Sequence, residues 1–490
     1  MLNAAIFLPL LTGLLSLAMP RRRADIVRFV ALAGSVLTLF AALALWAGLD
    51  PAGGALQWRT TLPWIPAIGA SYDVAIGGLS SALIVLTALL LTVVAAFSLR
   101  AEDRAHAHAF LFLLLGTGLI GLFAAQDLLL FYVFFEVALV PMYFIIGVWG
   151  GEQRSYAALK FFLYTRAGSL AMLLGFLALY LAMQPHSFSL PAIIAARPLR
   201  DAPFAAALVF FALLLGFGVK LPIVPLHNWL PDAHVEAPTE GSVVLAGLQL
   251  KMGAYGLVAI LLPVLPGTVA RFGWLLVALA LISLVWGALA ALAQRDMKRL
   301  VAYTSINHMA YVTLAVAIAA MTADGDVQRL ALDGAAVQMV SHGLLTGGMF
   351  LMVGILQHQA GTRDIGRFGG LLGRAPVFSL LFGLLAFGSL GLPGLSGFIA
   401  EFQVIGASLV LSLWVAAVVV LTLVVTTGVY LRLLSCVLMG EPTAPPRLAP
   451  LSPRELWPVV TLIVLSVLIG VLPGLLVPAV NGASQLLARF

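Results

Sequence analysis

Charge is scarce in this sequence of 490 residues, because only 9% of its residues are Asp, Glu, Lys or Arg while 62% are hydrophobic. About a quarter of the residues in a soluble globular domain are charged, so this composition excludes a soluble fold. Cysteine is nearly absent too. The single one, Cys436, lies in an apolar stretch and can neither ligate an iron–sulfur cluster nor close an internal disulfide. We therefore expect an all-α polytopic membrane protein without cysteine redox chemistry.

Nucleotide-binding motifs are also missing. No G-x-G-x-x-G follows an expected strand and no Walker sequence occurs, so dinucleotide binding by this chain is excluded. The first apolar run, Leu2 to Met19, precedes its arginines and lacks a small-residue cleavage site. We expect it to be the first membrane span and not a removable signal peptide.

Apolar stretches recur along the whole chain, and a window of about 20 residues predicts roughly fourteen spans in one membrane domain. Basic residues are concentrated in alternate short loops, which predicts that these loops face the cytoplasm and that both termini face the other side. The cytoplasmic set is Arg21, Arg22, Arg23, Arg100, Arg104, Arg154, Arg295, Lys298, Arg299, Arg363, Arg367, Arg374, Arg447 and Arg454. The intervening loops hold Arg59, Arg197, Arg200, Arg271 and Arg329. The net charge of +6 thus reports topology and not nucleic-acid binding.

Two spans are interrupted by glycine and proline in comparable ways, around Lys220 in the seventh span and just before Glu401 in the twelfth. The interrupting residues are Gly216, Gly218, Pro222 and Pro225, then Gly391, Pro393, Gly394 and Gly397. Paired breaks of this kind are typical of internal repeats whose discontinuous helices frame an ion site near the midplane. Non-helical backbone is tolerated at that depth only where protein or water satisfies it, so we expect a polar cavity at each break.

Ionisable side chains also occur inside otherwise apolar spans. They are Glu136, Lys220, Lys251, His308, His342 and Glu401. A charge at the centre of a span costs about 2.5–3.5 kcal/mol, and lysine and histidine change protonation readily when desolvated. The ordinary alternatives are a snorkelling lysine and a structural, hydrogen-bonded histidine. Taken together, the set predicts a buried pathway for protons.

Two further clusters look like metal sites in the sequence. His106 and His108 form an H-x-H pair in an expected basic loop, but no third ligand is nearby. The run HNWLPDAHVEAPTE holds the second cluster, which consists of His227, Asp232, His234, Glu236 and Glu240. Because prolines interrupt this run, we expect a cytoplasmic loop where protons enter or helices are capped, and no bound metal.

Four longer motifs resemble the antiporter-like membrane subunits of respiratory complex I, and most of all the M type. They are VKLPIVPLHNWLPDAHVEAPTEGSVVLAGLQLKMGAYGL, QRDMKRLVAYTSINHMAY, QMVSHGLLTGGMF and GLPGLSGFIAEF. The resemblance runs from the fourth to the thirteenth span and implies fourteen helices with two inverted five-helix repeats, broken at helices 7 and 12. It implies helices 1–3 in residues 1–108, the repeats in 109–262 and 270–439, and helix 14 in 456–490.

The same resemblance assigns roles to the buried ionisable residues. Glu136 of the fifth helix would form an ion pair with Lys220 of the seventh, and Lys251 would be the central lysine of the eighth. The remaining members of the line would be His308, His342 and Glu401, in helices 10, 11 and 12. They imply a hydrated half-channel from the cytoplasm to Lys251 and an exit near Glu401.

A subunit of this kind implies an enzyme complex, NADH:quinone oxidoreductase, in a bacterial inner membrane. The chain itself would hold no cofactor or metal, and FMN, iron–sulfur clusters and quinone would belong to partner subunits. Other complex I subunits, especially neighbouring antiporter-like ones, are the implied partners. Two alternatives remain open, namely a subunit of an Mrp-type Na⁺/H⁺ antiporter and the related membrane subunit of a formate hydrogenlyase. Glutamate at position 401 favours the M type, since the L and N types and the Mrp counterpart carry lysine there.

Overall fold

The computed structural model describes residues 1–20, 23–50, 56–98, 104–441, 448–478 and 480, and most of them are helical. The first elements are α1 (Leu2–Ala18), α2 (Ala24–Ala47), β1 (Gln57–Ile65), β2 (Ala70–Ile76), α3 (Gly78–Phe97), α4 (Ala105–Ala124), α5 (Leu128–Trp149), α6 (Arg154–Ala182), α7 (Leu190–Ala196), α8 (Pro203–Lys220) and α9 (Trp229–Glu236). The next are α10 (Thr239–Val264), α11 (Pro266–Arg271), α12 (Gly273–Leu292), α13 (Met297–Met321), α14 (Gly325–Ala360), α15 (Leu371–Arg374), α16 (Pro376–Ser389), α17 (Ser396–Leu411), α18 (Leu413–Leu438) and α19 (Pro453–Val471). Arg21, Arg22, Arg100 and Arg447 lie outside the described residues.

The all-α polytopic class is confirmed. Within the described residues, twelve helices are long and apolar enough to cross a membrane, and α1, α16 and α17 are shorter apolar helices. Fourteen crossings follow only if α1 crosses alone and α16 and α17 cross together, so the count of fourteen stays a prediction. The most enclosed helix is α14, which packs against α10, α13, α17 and α19.

Both broken helices are present. Helix α8 ends at Lys220 and α9 begins at Trp229, and the backbone between them finds side-chain partners. The indole Nε1 of Trp229 donates to the Val219 carbonyl at 2.8 Å, and the Val224 amide donates to Ser283 Oγ at 2.9 Å. Protein groups therefore satisfy part of this interruption, as a break at membrane depth requires.

The second break separates α16 from α17. Gly391 and Gly394 adopt positive φ values of 78° and 92°, which a residue with a side chain reaches only with strain. At the start of α17, the Ser396 amide donates to Ser466 Oγ of α19 at 3.3 Å. The glycines thus supply the chain reversal, and a hydroxyl from another helix binds a freed amide.

Helix α17, which carries Glu401, continues to Leu411, and only the extended Ser412 separates it from α18. The expected position of the H-x-H pair was wrong. His106 and His108 do not lie in a loop, since α4 begins at Ala105 and buries His108 edge-to-face against Trp149 at 5.1 Å.

The run HNWLPDAHVEAPTE is not a loop either. Most of it forms α9 and the first turn of α10, and His234 is completely buried. Its ring stacks on Phe350 of α14 with centroids 4.5 Å apart. The prolines were misleading because Pro231 occupies the first turn of α9, where a missing amide costs no hydrogen bond.

A β-hairpin, which the sequence did not predict, follows α2. Strands β1 and β2 pair antiparallel, and the buried Asp73 of β2 receives two hydrogen bonds from Arg59 at 3.0 and 2.7 Å. The Asp73 carboxylate accordingly raises the pKa of Arg59. Tyr72 donates to Asn3 Oδ1 at 2.9 Å, and burial raises the pKa of Tyr72 to about 12. These contacts tie the hairpin to α1.

Candidate functional site

The centre of the site is a direct contact between Lys251 of α10 and His342 of α14. Lys251 Nζ lies 2.7 Å from His342 Nδ1 and donates to the Ala246 carbonyl at 2.7 Å. That carbonyl is available because α10 widens into π-helical turns at Leu245–Gln249 and Leu257–Leu261, on either side of the lysine. Lys251 is fully buried and has two close acceptors, and no carboxylate of the described residues forms an ion pair with it.

The line continues from His342 to His308 of α13. Their rings meet edge-to-face with centroids 6.0 Å apart, and His308 also lies parallel to Tyr430 of α18 at 6.3 Å. Gln338 of α14 donates from Nε2 to the His308 carbonyl at 3.0 Å. In the described part of the chain, the Nε2 atoms of both histidines have no hydrogen-bond partner. The structure therefore brings Lys251, His342 and His308 together.

Lys220, the last residue of α8, is fully buried at the first break. Its Nζ donates to Gln249 Oε1 of α10 at 3.0 Å. Three aromatic rings surround the ammonium, with centroids of Phe161, Trp229 and Phe135 at 4.9, 5.7 and 6.0 Å. Cation–π contacts stabilise a desolvated ammonium, so this site can hold a charged lysine without a carboxylate.

Among the contacts of the described residues, no direct ion pair joins Glu136 to Lys220. Glu136 Oε2 instead lies 2.6 Å from Arg166 Nη1 of α6, and Ser169 Oγ of α6 donates to Glu136 Oε1 at 2.6 Å. Arg166 Nη1 also donates to the Tyr132 hydroxyl at 3.2 Å. Glu136 contacts Arg166 because α6, which packs on α5, offers a second cation, and the role of the Glu136–Lys220 pair stays a prediction.

Glu401 lies in α17, buried just beyond the second break. Its carboxylate turns back toward the break, since a Cβ atom built on Gly391 would lie 2.6 Å from Glu401 Oε2. That oxygen has no hydrogen-bond partner among the residues that the structure describes. No described contact joins Glu401 directly to His308, so the place of Glu401 in the pathway stays a prediction.

Sequence reasoning missed three groups of polar residues. Arg166 lies in the apolar run FFLYTRAGSLAML, and the test that singled out Glu136 would also have found it. Gln249 precedes Lys251 by two residues, but a neutral amide gave no signal. A chain of buried hydroxyls, Ser341–Ser396–Ser466, links α14, α17 and α19 through oxygen distances of 2.8 Å. Its members are ordinary serines in sequence and become a chain only through packing.

The end of the molecule that carries α9 holds most of the remaining charged contacts. Asp232 accepts from Lys160 at 2.7 Å and from Arg299 at 3.1 Å. A cavity of about 420 Å³ is lined there by Glu236 and Lys298, among other residues. Across the described ranges, no three His, Cys, Asp or Glu side chains form a group that could hold a metal ion.

Comparison with known proteins identifies the family of this chain. Residues 125–427, a stretch that contains all six expected site residues, match the family described as NADH:quinone oxidoreductase/Mrp antiporter transmembrane proteins. This chain belongs to that family. NADH-quinone oxidoreductase subunit M of Rhodobacter capsulatus is 37% identical over 460 residues, which cover 91% of this chain and 88% of that protein.

Solved structures of the NADH:quinone oxidoreductase/Mrp antiporter family have the same fold. A chain of respiratory complex I from Thermus thermophilus superposes with a TM-score of 0.90 at 31% identity, covering 100% of this chain and 99% of that one. A chain of the Mrp complex from Dietzia superposes with a TM-score of 0.87 at 22% identity, covering 99% and 97%. The likeness to the Mrp complex supports a shared fold only.

Proposed function

We propose that this chain is the proton-translocating M-type membrane subunit of NADH:quinone oxidoreductase. The observation that carries the proposal is the buried Lys251–His342–His308 line, in a chain whose 37%-identical relative is named subunit M. FMN, iron–sulfur clusters and quinone would belong to partner subunits, and neighbouring antiporter-like subunits would flank this chain. The chain is then a non-redox part of the enzyme.

The geometry supports a relay through the protein interior. A proton on Lys251 Nζ can pass along the 2.7 Å contact to His342 Nδ1, and the imidazolium that forms can release a proton from Nε2. The two Nε2 atoms that lack protein partners are available to water between His342 and His308. Glu136 and Lys220 would set the electrostatic field at one end, and Glu401 would exchange protons at the other. The driving energy would arrive from electron transfer in partner subunits.

We also propose that residues 109–262 and 270–439 are two inverted repeats, between helices 1–3 in 1–108 and helix 14 in 456–490. The pairs α8/α9 and α16/α17 support this division because both spans are broken between long helices. The chain would lie in the bacterial inner membrane with both termini on the periplasmic side. The end with Asp232, Lys298 and Arg299 would then face the cytoplasm.

Two alternatives have less support. An Mrp-type Na⁺/H⁺ antiporter subunit shares the fold, but likeness to the Dietzia chain at 22% identity supports the fold and not the function. A formate hydrogenlyase membrane subunit would share the relay, but its complex would be driven by formate oxidation and not by NADH.

Replacing subunit M of a bacterial complex I with this chain tests the proposal. Purified complex in proteoliposomes should acidify the lumen on NADH and quinone addition, and the same complex with Lys251→Met should oxidise NADH with little acidification. Vesicles with this chain but no complex I should show no ΔpH collapse on Na⁺ addition. Sodium-driven ΔpH collapse, or acidification that does not depend on this chain, would overturn the proposal.

A further inference from the structure

Glu136 and Lys220 each have close partners of their own, and no ion pair joins the two among the described residues. Glu136 is held by Arg166 and Ser169 of α6, and Lys220 is held by Gln249 and three aromatic rings. Both sets are short-range and directional. Direct pairing of Glu136 with Lys220 therefore competes with these contacts, and the residues that form them bias the competition.

Arg166 occupies an unusual place for a cation. It stands in the middle of α6, and its side chain is 39% exposed while that of Glu136 is 18% exposed. The neighbours that share this face of α6 are the exposed residues Leu159, Leu163, Leu170 and Leu174. Because an unpaired charge within an apolar face is costly, Glu136 neutralises Arg166 and is drawn toward the outer face of the molecule.

Gln249 binds Lys220, the other member of the Glu136–Lys220 pair. Its amide nitrogen donates to the Ala138 carbonyl of α5 at 2.8 Å while its oxygen accepts from Lys220. It lies in the π-helical turn that precedes Lys251, and Ala138 follows Glu136 by two residues. One neutral side chain thus links the helices that carry Glu136, Lys220 and Lys251.

We propose that Arg166 and Gln249 are positioning residues that divide the Glu136–Lys220 pair between two states. In the state seen here, Glu136 rests on Arg166 and Lys220 rests on Gln249. In the other state, the carboxylate leaves Arg166 and pairs with Lys220, which keeps the lysine proton from moving toward Lys251. The proposal rests on the proton-relay function and names the residues that set its balance.

Structures of the assembled complex with single substitutions test this division directly. Arg166→Gln removes the competing cation, and Gln249→Met removes the amide acceptor of Lys220. In both variants, Glu136 should lie within hydrogen-bond distance of Lys220 Nζ. Leu163→Gln is the matched control because it adds a polar group to the same face of α6 without a charge, and it should leave Glu136 on Arg166. Glu136 remaining remote from Lys220 in both variants would overturn the division.

Proton pumping by the same complexes gives a second readout, which would stay unchanged if Arg166 had a purely structural role. The effects of Arg166→Gln and Glu136→Gln should be non-additive by about fivefold or more, as for residues in contact. Arg166→Lys should restore pumping in part. Additive effects, or no rescue by lysine, would count against the division. If the unsubstituted complex does not pump, the relay function itself fails, but the distance from Glu136 to Lys220 still decides the division.

A separate basic cavity lies at the opposite end from α9. It measures about 390 Å³ and is lined by Arg197, Arg200 and Arg271, three of the five arginines that the intervening loops contain. Arg200 and Arg271 are exposed, and neither forms an ion pair with any acidic residue in the described ranges. Arginine side chains of this kind can bind a phosphate group through paired hydrogen bonds.

Apolar surface continues from this cavity along two helices. On α8, the exposed residues Phe204, Leu208, Phe211 and Leu215 recur at helical spacing, and Trp274 is exposed at the start of α12. Phe272 joins the two helices through its ring contact with Phe211, at 5.0 Å. An exposed tryptophan at a helix end is typical of the membrane interface. We propose that the cavity binds the phosphate of an anionic phospholipid whose acyl chains cover α8 and α12.

A photo-crosslinkable phosphatidylglycerol, offered to the purified complex in phosphatidylcholine nanodiscs, tests this site. Labelling should map to α8 and α11, and it should fall about fivefold for each arginine removed in Arg200→Gln and Arg271→Gln. Arg329→Gln is the matched control, since it removes an arginine of the same set that is paired with Asp326 at 3.1 Å. Labelling unchanged by both substitutions, or abolished by millimolar inorganic phosphate alone, would overturn the lipid site.

Discussion

The contact between Lys251 and His342 predicts that substituting the lysine changes stability differently from substituting the histidine. Lys251→Met removes the ammonium at similar volume and leaves Ala246 O and His342 Nδ1 unpaired, at about 1–3 kcal/mol each. Burying the ion costs several kcal/mol, so the two effects offset. We expect this variant to unfold at or above the wild-type temperature and to lose NADH-driven pumping.

His342→Leu perturbs the other side of the contact. Lys251 then keeps one acceptor in a fully buried site and loses a charge-assisted hydrogen bond, which contributes about 1.5–3 kcal/mol. This variant should therefore unfold at a lower temperature than wild type. Adding Lys251→Met to it should restore the unfolding temperature, because the stranded ammonium is gone, but it should not restore pumping.

Thermal unfolding of the purified complexes and proton uptake in proteoliposomes, with NADH oxidation recorded in parallel, measure both quantities. Ser283→Ala is a suitable control for assembly, since it changes a hydrogen bond at the first break and leaves the relay intact. A double variant no more stable than His342→Leu would refute the stranded-ammonium argument. Normal proton stoichiometry in Lys251→Met would refute the relay.

The broken helices could be predicted because their cause is local. Glycine and proline near Lys220 and before Glu401 permit positive φ or remove the amide donors that an uninterrupted helix needs. The buried lysines and histidines could be predicted for a similar reason, as each is costly in an apolar span. Their contacts with one another followed once the helices were packed.

Partner choice could not be predicted in the same way. Glu136 has two cations within reach, and only the packing of α6 on α5 decides for Arg166 over Lys220. Gln249 carries no charge, so nothing in composition separates it from a structural amide. The π-helical turns beside Lys251 have no residue signature either, because their wide geometry comes from the surrounding helices.

The remaining predictions concern the hairpin, the orientation and the second break. Asp73→Asn should weaken the hairpin by about 1–3 kcal/mol, because the buried acceptor of Arg59 loses its charge, and should make limited proteolysis cut there first. In a cysteine-free background, a cysteine at Leu62 should react with an impermeant thiol reagent in right-side-out vesicles and one at Arg154 should not; the reverse pattern would invert the orientation. Glu401→Gln should lower proton output per NADH oxidised, while Glu401→Lys should keep part of it because a protonatable group remains. Undiminished stoichiometry in Glu401→Gln would remove this residue from the pathway and leave it a buried, neutral acid.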